Sequence, residues 1–166
     1  MDDITALNQH DHEAFRRAFA RLDDARGPDE LRAIWEPLAL HLDIHAEAEE
    51  AVFYPQLLRR GDDAEAETDD AIRDHNKLRD AIVEAGRHEV GSDEWWAAVW
   101  ECRRENTHHL GEEEDDVLPD FRRNATIELR DQLATEWLAF YAEHPSGRGL
   151  SFRDKDPERY IEQHTP

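Results

Sequence analysis

The chain has 166 residues, one cysteine and a formal net charge of −21, a length typical of one domain whose core needs no disulfide framework. Because a chain with this negative charge repels phosphate backbones and anionic lipids, we expect neither nucleic acid nor a membrane among its partners. The opening residues are acidic and lack an apolar stretch, which together with the single cysteine is typical of a cytoplasmic protein.

The first half of the chain predicts two long helices. Residues 4–25 place apolar side chains on or beside the stripe that holds His12, so His12 is expected to point inward. Residues 29–60 place His45 on an apolar face of the second helix. Pro37 lies near the start of that segment, where it either kinks the first turns or opens the main helix.

The second half predicts two more long helices of the same kind. Residues 67–88 align His75 with apolar side chains at helical spacing. Ser92 is a candidate cap for a helix that continues to about residue 123 and carries His109 on its inner stripe. Because the connections are short, neighbouring helices should be antiparallel, and the sequence predicts an all-α, up-down-up-down four-helix bundle.

The end of the chain predicts one further helix and a tail. Residues 126–144 are amphipathic and are expected to pack against the outside of the bundle. Residues 145–166 show no regular pattern. We therefore expect a bundle over residues 1–123, and a C-terminal helix and irregular tail over residues 124–166 packed on it.

One set of residues occurs twice in the same order: an Asp-His pair, a histidine, a glutamate four residues later, and a proline. The first copy consists of Asp11-His12, His45, Glu49 and Pro55, and the second of Asp74-His75, His109, Glu113 and Pro119. Residues four apart share a helical face, so each His-x-x-x-Glu pair directs an imidazole and a carboxylate to one point. Burying these groups without a cation would be costly. The repeat therefore predicts one shared metal site.

Other metal templates fit this sequence less well. A zinc protease needs a His-Glu-x-x-His segment, which is absent, and a ferritin-like bundle needs two Glu-x-x-His pairs, of which only Glu105 to His108 is present. His108 lies one residue off the apolar stripe and is not expected to be a ligand of the shared site. Oxygen and imidazole donors without thiolate suit iron or manganese, and donor type alone does not exclude zinc.

Residues 4–123 resemble the hemerythrin-like family, also called HHE cation-binding domains. The segments DHEAF and DHNKL are similar to the family's Asp-His openings, and HAEAEEAVFYP and HLGEEEDDVLP are similar to its HxxxEE segments that end in proline. The resemblance implies a non-haem di-iron centre whose two iron ions share an oxo or hydroxo bridge. It also implies that Glu49 and Glu113 bridge the irons and that the terminal ligands are His12, His45, His75 and His109.

The sequence departs from the oxygen-carrying members of the family near His75. Those proteins have a further histidine one turn away, whereas this chain has Ala71 and Arg79 in the neighbouring positions. About two coordination positions are then open instead of one. Tyr54 either fills one of them or packs in the core. His41 is either an additional ligand, a hydrogen-bond partner of a ligand, or an exposed residue.

Several acidic residues outside the repeated His-x-x-x-Glu pairs have two possible roles. Asp11 and Asp74 each precede a histidine by one residue and point about 100 degrees away on the helix, too far to hold that ring. They either reach a histidine on another helix or lie on the surface. Apart from Glu113, the acids of residues 62–70 and 112–116 are expected to be solvated surface.

An open di-iron centre inside an apolar bundle predicts an oxidoreductase that reacts with hydrogen peroxide or oxygen. The most concrete form is catalase-like disproportionation of peroxide. One alternative is a protein that binds or senses oxygen, nitric oxide or iron without turnover, and another is a di-iron oxygenase acting on a small organic substrate. The partners are small oxidants in the favoured case, and the oligomeric state cannot be read from the chain.

Overall fold

The computed structural model describes residues 2–166, and helices account for all of the regular structure in that range. The helices are, in chain order, α1 (Ile4–Asp24), α2 (Gly27–Ala48), α3 (Tyr54–Arg60), α4 (Ala64–Ala85), α5 (Asp93–Glu112), α6 (Leu118–Asn124), α7 (Ile127–Glu143) and α8 (Pro157–His164). A π-helical turn joins α2 to α3 and another joins α5 to α6, so each pair forms one continuous rod. The rods and helices α1 and α4 form the predicted up-down-up-down bundle, and α7 packs against α1 and α2.

The ends of the first helices follow from local sequence. The Asp3 carboxylate accepts from the Thr5 backbone N–H at 2.9 Å and so begins α1. The second helix begins earlier than predicted, at Gly27, with Pro28 in the first turn, where a missing N–H costs nothing. Helix α2 then continues through Pro37, which therefore does not open the main segment.

The predicted cap of the fourth long helix is confirmed. The Ser92 hydroxyl accepts from the Trp95 backbone N–H at 3.2 Å, and α5 begins at the following residue, Asp93. The carboxylates of Asp93 and Glu94 lie in the first turn, where they interact favourably with the positive end of the helix dipole.

The two π-helical turns, Glu49–Phe53 and Glu113–Val117, were not predicted from the sequence. In each turn a backbone N–H bonds five residues back, from Tyr54 to the Glu49 carbonyl and from Leu118 to the Glu113 carbonyl. A proline follows immediately in both cases, and because proline has no N–H and its ring excludes the carbonyl four residues back, regular α-helical bonding is interrupted there. Each π-helical turn begins at the glutamate of a His-x-x-x-Glu pair, Glu49 in the first turn and Glu113 in the second.

Apolar side chains form two clusters, one on each side of the buried histidines. The His45 ring contacts both of them, with centroid distances of 5.1 Å to Phe15 and 5.3 Å to Trp137. Trp137 comes from α7, so the fifth long helix covers one side of the site. The core therefore surrounds a polar centre with apolar walls.

The expectation of an irregular tail was wrong, because Pro157–His164 forms helix α8. The helix has only eight residues, few of them apolar, and it is stabilised by docking. The Tyr160 hydroxyl donates to the Glu50 carbonyl oxygen at 2.5 Å. Asn76 of α4 binds the backbone of Lys155 through two hydrogen bonds, of 2.7 and 2.9 Å. The division of the chain at residue 123 stays a prediction.

Between residues 2 and 166, none of the helices combines the length and the apolar character needed to cross a membrane.

Candidate metal centre

The side chains of the repeat converge in the middle of the bundle. Each histidine comes from a different helix, and each glutamate is the first residue of a π-helical turn. The six side chains are each at most 3% exposed: His12, His45, Glu49, His75, His109 and Glu113. The structure thus brings together every residue that the sequence assigned to the shared site.

One group of potential ligand atoms involves α1 and α2. The ligand atoms of His12, His45, Glu49 and Glu113 lie within 4.8 Å of one another. The His12 Nε2 is 3.2 Å from Glu113 Oε2, and the His45 Nε2 is 3.1 Å from Glu49 Oε1. Two imidazoles and two carboxylates therefore face one point.

A second group lies beside the first and shares Glu49 with it. Its ligand atoms, from Glu49, His75 and His109, also lie within 4.8 Å of one another. The Glu49 Oε2 is 3.0 Å from His75 Nε2, while Glu49 Oε1 faces the first group. Each carboxylate oxygen of Glu49 therefore faces a different group of potential ligand atoms. Glu113 Oε2 lies 3.5 Å from His109 Nε2 and so borders both groups.

The donor atoms themselves indicate that these residues fit a metal. The buried Nε2 atoms of His12 and His45, with Glu49 Oε1 and Glu113 Oε2, have no hydrogen-bond partner among the described residues. Buried polar atoms without partners are costly, and here they all face the same space. The Nε2 atoms of His75 and His109 are 3.1 Å apart. A cation would give all of these lone pairs a partner.

Carboxylates from other helices lie beside the outward-facing nitrogens of the rings. Asp11 of α1 lies 2.9 Å from His45 Nδ1, and Asp74 of α4 lies 3.8 Å from His109 Nδ1. Both aspartates therefore lie beside a histidine of the next helix, and the hydrogen bond of Asp11 confirms for that residue the first of the two roles considered. The Asp74 contact is longer than a hydrogen bond.

Two further carboxylates of this kind were missed by the sequence analysis. Glu50 Oε1 lies 2.8 Å from His75 Nδ1, and Glu114 Oε1 lies 2.9 Å from His12 Nδ1. Placing Glu114 among solvated surface acids was therefore wrong. The signal was present in the sequence, because a second glutamate directly follows Glu49 and Glu113 in both copies of the repeat.

Together the four contacts form a closed cycle around the centre. The carboxylates of α1, the first π turn, α4 and the second π turn each face a histidine of another helix: Asp11 to His45, Glu50 to His75, Asp74 to His109 and Glu114 to His12. A carboxylate at Nδ1 favours the proton on that nitrogen and leaves the Nε2 lone pair for a metal. The three hydrogen-bonded contacts therefore orient the rings of His12, His45 and His75 inward, and Asp74 lies beside the ring of His109 at 3.8 Å.

Tyr54 is fully buried and lies against the centre. Its hydroxyl donates to Glu113 Oε1 at 2.6 Å, and its ring lies 5.7 Å from that of His75. Burial, together with the Glu113 and Glu49 carboxylates, raises the pKa of Tyr54 well above its usual value, so the phenol stays protonated. The structure thus places Tyr54 in the core with its hydroxyl on a candidate ligand. Direct binding of a metal by Tyr54 stays a prediction.

His41 and Arg79 lie one layer further out. The His41 Nε2 is 3.3 Å from Asp11 Oδ1, so His41 contacts the carboxylate that holds His45. Arg79, one turn after His75, is turned away from the centre and donates to Glu50 Oε2 at 2.9 Å. A histidine at that position could bind a metal, whereas this guanidinium instead fixes the carboxylate that orients His75.

The charges at the centre shift the titration of its groups in the metal-free protein. Burial disfavours a charged His45 ring, but Glu49 and the hydrogen bond to Asp11 outweigh burial and raise the pKa of His45 to about 10. Burial also disfavours a charged Glu50, but His75 and Arg79 outweigh it and lower the pKa of Glu50 to about 2. Protons thus occupy positions that a metal would take, so metal and protons compete for the site.

Comparison with known families gives the site its context. Residues 3–121 match the model of the hemerythrin HHE cation binding domain. The chain belongs to the hemerythrin HHE cation-binding domain family. Membership accounts for the helical bundle, and the buried histidine and glutamate groups give this HHE domain side chains able to hold a metal.

Individual relatives are more distant. A protein of Nostoc sp. named DNA nickase is 24% identical over 129 residues, which cover 78% of this HHE chain and 36% of the Nostoc protein. The chain therefore spans about a third of the length of that relative. No solved structure matches the chain.

Proposed function

We propose that this HHE domain holds two iron ions and reacts with hydrogen peroxide or oxygen, and that its reaction is the disproportionation of two peroxide molecules to two water molecules and oxygen. The observation that carries the proposal is that two groups of metal-binding atoms share Glu49. His12 and His45 would hold one ion, and His75 and His109 the other. Glu49 and Glu113 would contact both ions.

Iron suits both the donors and the reaction. Imidazole and carboxylate donors also accept manganese or zinc, but zinc does not change oxidation state. A bound pair of iron ions would supply the exchange of two electrons with one peroxide molecule, so that no radical would be released.

The protein's own residues would control access and protons. Phe15 and Trp137 pack on the His45 ring and exclude bulk water from that side. The Tyr54 hydroxyl holds the Glu113 carboxylate at 2.6 Å and keeps a proton next to it. Arg79 is committed to Glu50 and so leaves the position beside His75 open to a small molecule.

The position of a cavity beside Glu50 favours a small oxidant over an organic substrate. A cavity of about 590 Å³ lies between α8 and the bundle and is lined by residues that include Lys155, Tyr160 and Glu50. None of the six proposed ligands is among its described lining residues. An organic molecule bound there would contact Glu50 and not the donor atoms, which argues against a di-iron oxygenase with a sizeable substrate.

Binding or sensing without turnover is the second candidate function, and the docking of the tail favours it. The Tyr160 hydroxyl binds the Glu50 carbonyl, and the Lys155 ammonium pairs with the Glu50 carboxylate, which in turn holds His75. A change in the position of His75 would therefore reach α8 through Glu50. Oxygen or nitric oxide would be the ligand in that case.

The name of the Nostoc relative concerns DNA, and we do not transfer that activity. The match covers only 36% of the Nostoc protein. The net charge of −21 on the present chain disfavours contact with a phosphate backbone. We propose that this protein has no nucleic acid partner.

Anaerobic loading with ferrous iron, followed by addition of peroxide, tests these alternatives. We expect about two iron ions per chain, as the two ligand groups predict, and then sustained release of oxygen. A stable change in the absorption spectrum without oxygen release would support binding or sensing and overturn catalysis. If the iron-loaded protein shows no spectral change and releases no oxygen, both proposed functions are overturned.

A further inference from the structure

A third group of side chains that could hold a metal ion lies outside the buried centre, on the surface where α4 and α5 pack together. The ligand atoms of Asp74, His108 and Glu112 lie within 4.8 Å of one another. His108 Nε2 is 3.2 Å from Glu112 Oε1 and 3.9 Å from Asp74 Oδ2. Neighbouring donors of a metal bound at about 2.1 Å are about 3–3.5 Å apart, so small side-chain rotations would complete a site.

Asp74 provides an independent indication that a cation belongs there. The residue is 3% exposed, and its Oδ2 has no hydrogen-bond partner among residues 2–166. That oxygen faces two imidazole nitrogens, His108 Nε2 at 3.9 Å and His109 Nδ1 at 3.8 Å, without bonding to either. The other oxygen pairs with Lys77 at 3.2 Å. A buried carboxylate oxygen without a partner is costly, and a metal ion beside it would remove that cost.

The donors and their exposure define the class of ion. One imidazole and two carboxylates favour a divalent transition metal such as zinc, iron or manganese over calcium or magnesium, which take oxygen ligands. The His108 side chain is 56% exposed and that of Glu112 is 39% exposed, so an ion can arrive directly from solvent. Three protein ligands leave further positions for water.

We propose that Asp74, His108 and Glu112 form a peripheral site for a divalent transition-metal ion, separate from the buried centre. The other half of the repeat has no counterpart of this site. The positions equivalent to His108 and Glu112 are occupied there by Ile44 and Ala48, which provide no donor side chain.

The peripheral site is linked to the buried centre through Asp74. Three of the four carboxylates around the centre lie 2.8–2.9 Å from their ring nitrogens, whereas Asp74 lies 3.8 Å from His109. An ion bound by His108 and Glu112 would share Asp74 with His109 and so change the surroundings of that ring. This link rests on the proposed function, because it needs iron at the centre. Binding of the peripheral ion itself does not depend on the proposed function.

Calorimetric titration with zinc tests the site. The centre is first loaded with ferrous iron without air, excess metal is removed, and iron is measured before and after the titration. We expect the unmodified protein to bind about one zinc ion per chain without losing iron. His108→Ala and Glu112→Ala should each weaken zinc binding at least tenfold while keeping the iron content.

His88→Ala is the matched control. The His88 Nε2 lies 2.7 Å from Glu84 on α4, with the same spacing of four residues as His108 and Glu112 but in the opposite order. No buried carboxylate is paired with His88 in the described structure, so His88→Ala should leave zinc binding unchanged. Equal zinc binding by His108→Ala and the unmodified protein, or equal losses in His108→Ala and His88→Ala, would overturn the site.

The outcomes separate this proposal from the proposed function. A protein that takes up no iron but still binds zinc in a manner dependent on His108 would refute the di-iron centre and support the peripheral site. With iron present, zinc should shift the absorption spectrum of the unmodified protein and not that of His108→Ala. Zinc binding that requires His108 but leaves the spectrum unchanged would refute the link through Asp74.

Discussion

Glu49 and Glu113 occupy equivalent positions in the repeat but have different surroundings. Glu49 directs one oxygen to each ligand group. Glu113 directs Oε2 to the histidines, while its Oε1 accepts the hydrogen bond of Tyr54. The chain has no tyrosine at the position equivalent to Tyr54 in the second half, where Leu118 stands. The two halves of the repeat therefore place similar donors in unlike environments.

Replacing Glu113 by alanine tests its assignment as a ligand. Glu113 is buried and faces His12 and His109, so Glu113→Ala should remove a large share of the bound iron, as measured by elemental analysis of the loaded protein. The control is Asp115→Ala, two residues away in the same π-helical turn but exposed, which should keep the iron content unchanged. Equal losses in the two variants would mean that Glu113 is not a ligand.

The carboxylates that hold the outer ring nitrogens should contribute to metal affinity. Asp11→Asn leaves His45 with an amide in place of a carboxylate, and substitutions of this kind typically lower metal affinity by about 10–100-fold. Competition with a chelator measures the change. Asp23→Asn is the control, because the exposed Asp23 lies on the same helix but pairs with Arg103 and not with a histidine. An affinity for Asp11→Asn equal to that of the control would contradict this role.

The inner residues of the site could be predicted from the sequence, whereas two of the outer ones were missed although a second glutamate follows the ligand glutamate in both copies of the repeat. His45 and Glu49 are four residues apart on an apolar helical face, a pattern with few explanations other than a shared site. Glu50 and Glu114 stand beside other acids in a chain of net charge −21, where a solvated carboxylate is the usual case. Only the three-dimensional structure shows that they reach a histidine on another helix.

At the scale of secondary structure, the helices that carry the site follow from apolar periodicity, but the π-helical turns and α8 do not. A π turn has no strong residue preference, and only Pro55 and Pro119 mark the two turns of this chain. Helix α8 buries a single residue, Tyr160, so its formation depends on tertiary contacts that are remote in sequence.

The docking of the tail through Asn76 gives a prediction for α8. Asn76→Ala removes both hydrogen bonds to the Lys155 backbone and should lower the free energy of unfolding by about 1–2 kcal/mol. Amide hydrogen exchange should become faster in residues 155–164 but not in α1. Unchanged exchange in the tail would show that Asn76 does not hold it.

The junction of α3, α4 and α6 gives a pH-dependent prediction. The buried Asp120 accepts from the Asp62 backbone N–H at 2.8 Å and holds the turn before α4. Burial, together with the charge of Asp120, raises the pKa of Glu67 from 4.5 to about 7. The folded protein therefore binds a proton between these pH values that the unfolded chain releases, and this contribution to stability is lost as the pH rises from about 4.5 to about 7.

Glu67→Gln removes that dependence. The variant should be more stable than the unmodified protein at pH 8, where Glu67 is charged beside Asp120, and close to it in stability at pH 4.5. Urea unfolding at the two pH values measures both differences. A stability difference that is the same at pH 4.5 and pH 8 would contradict the raised pKa of Glu67.

At the scale of the whole molecule, the repeat places helices α1 and α4 and the two rods of the bundle around one centre. Each contact of the carboxylate cycle joins two different helices, so the orientation of any one ring depends on a neighbouring element. Metal ions bound by all four helices would stabilise the folded state relative to the unfolded chain by mass action. The bundle and the centre should therefore be stabilised together.

X-ray diffraction at the iron absorption edge from crystals of the iron-loaded protein tests this account most directly. We predict two iron ions inside the bundle about 3.5–4 Å apart, one bound by His12 and His45, the other by His75 and His109, with Glu49 contacting both. A single iron ion inside the bundle, or no iron in contact with Glu49, would contradict it.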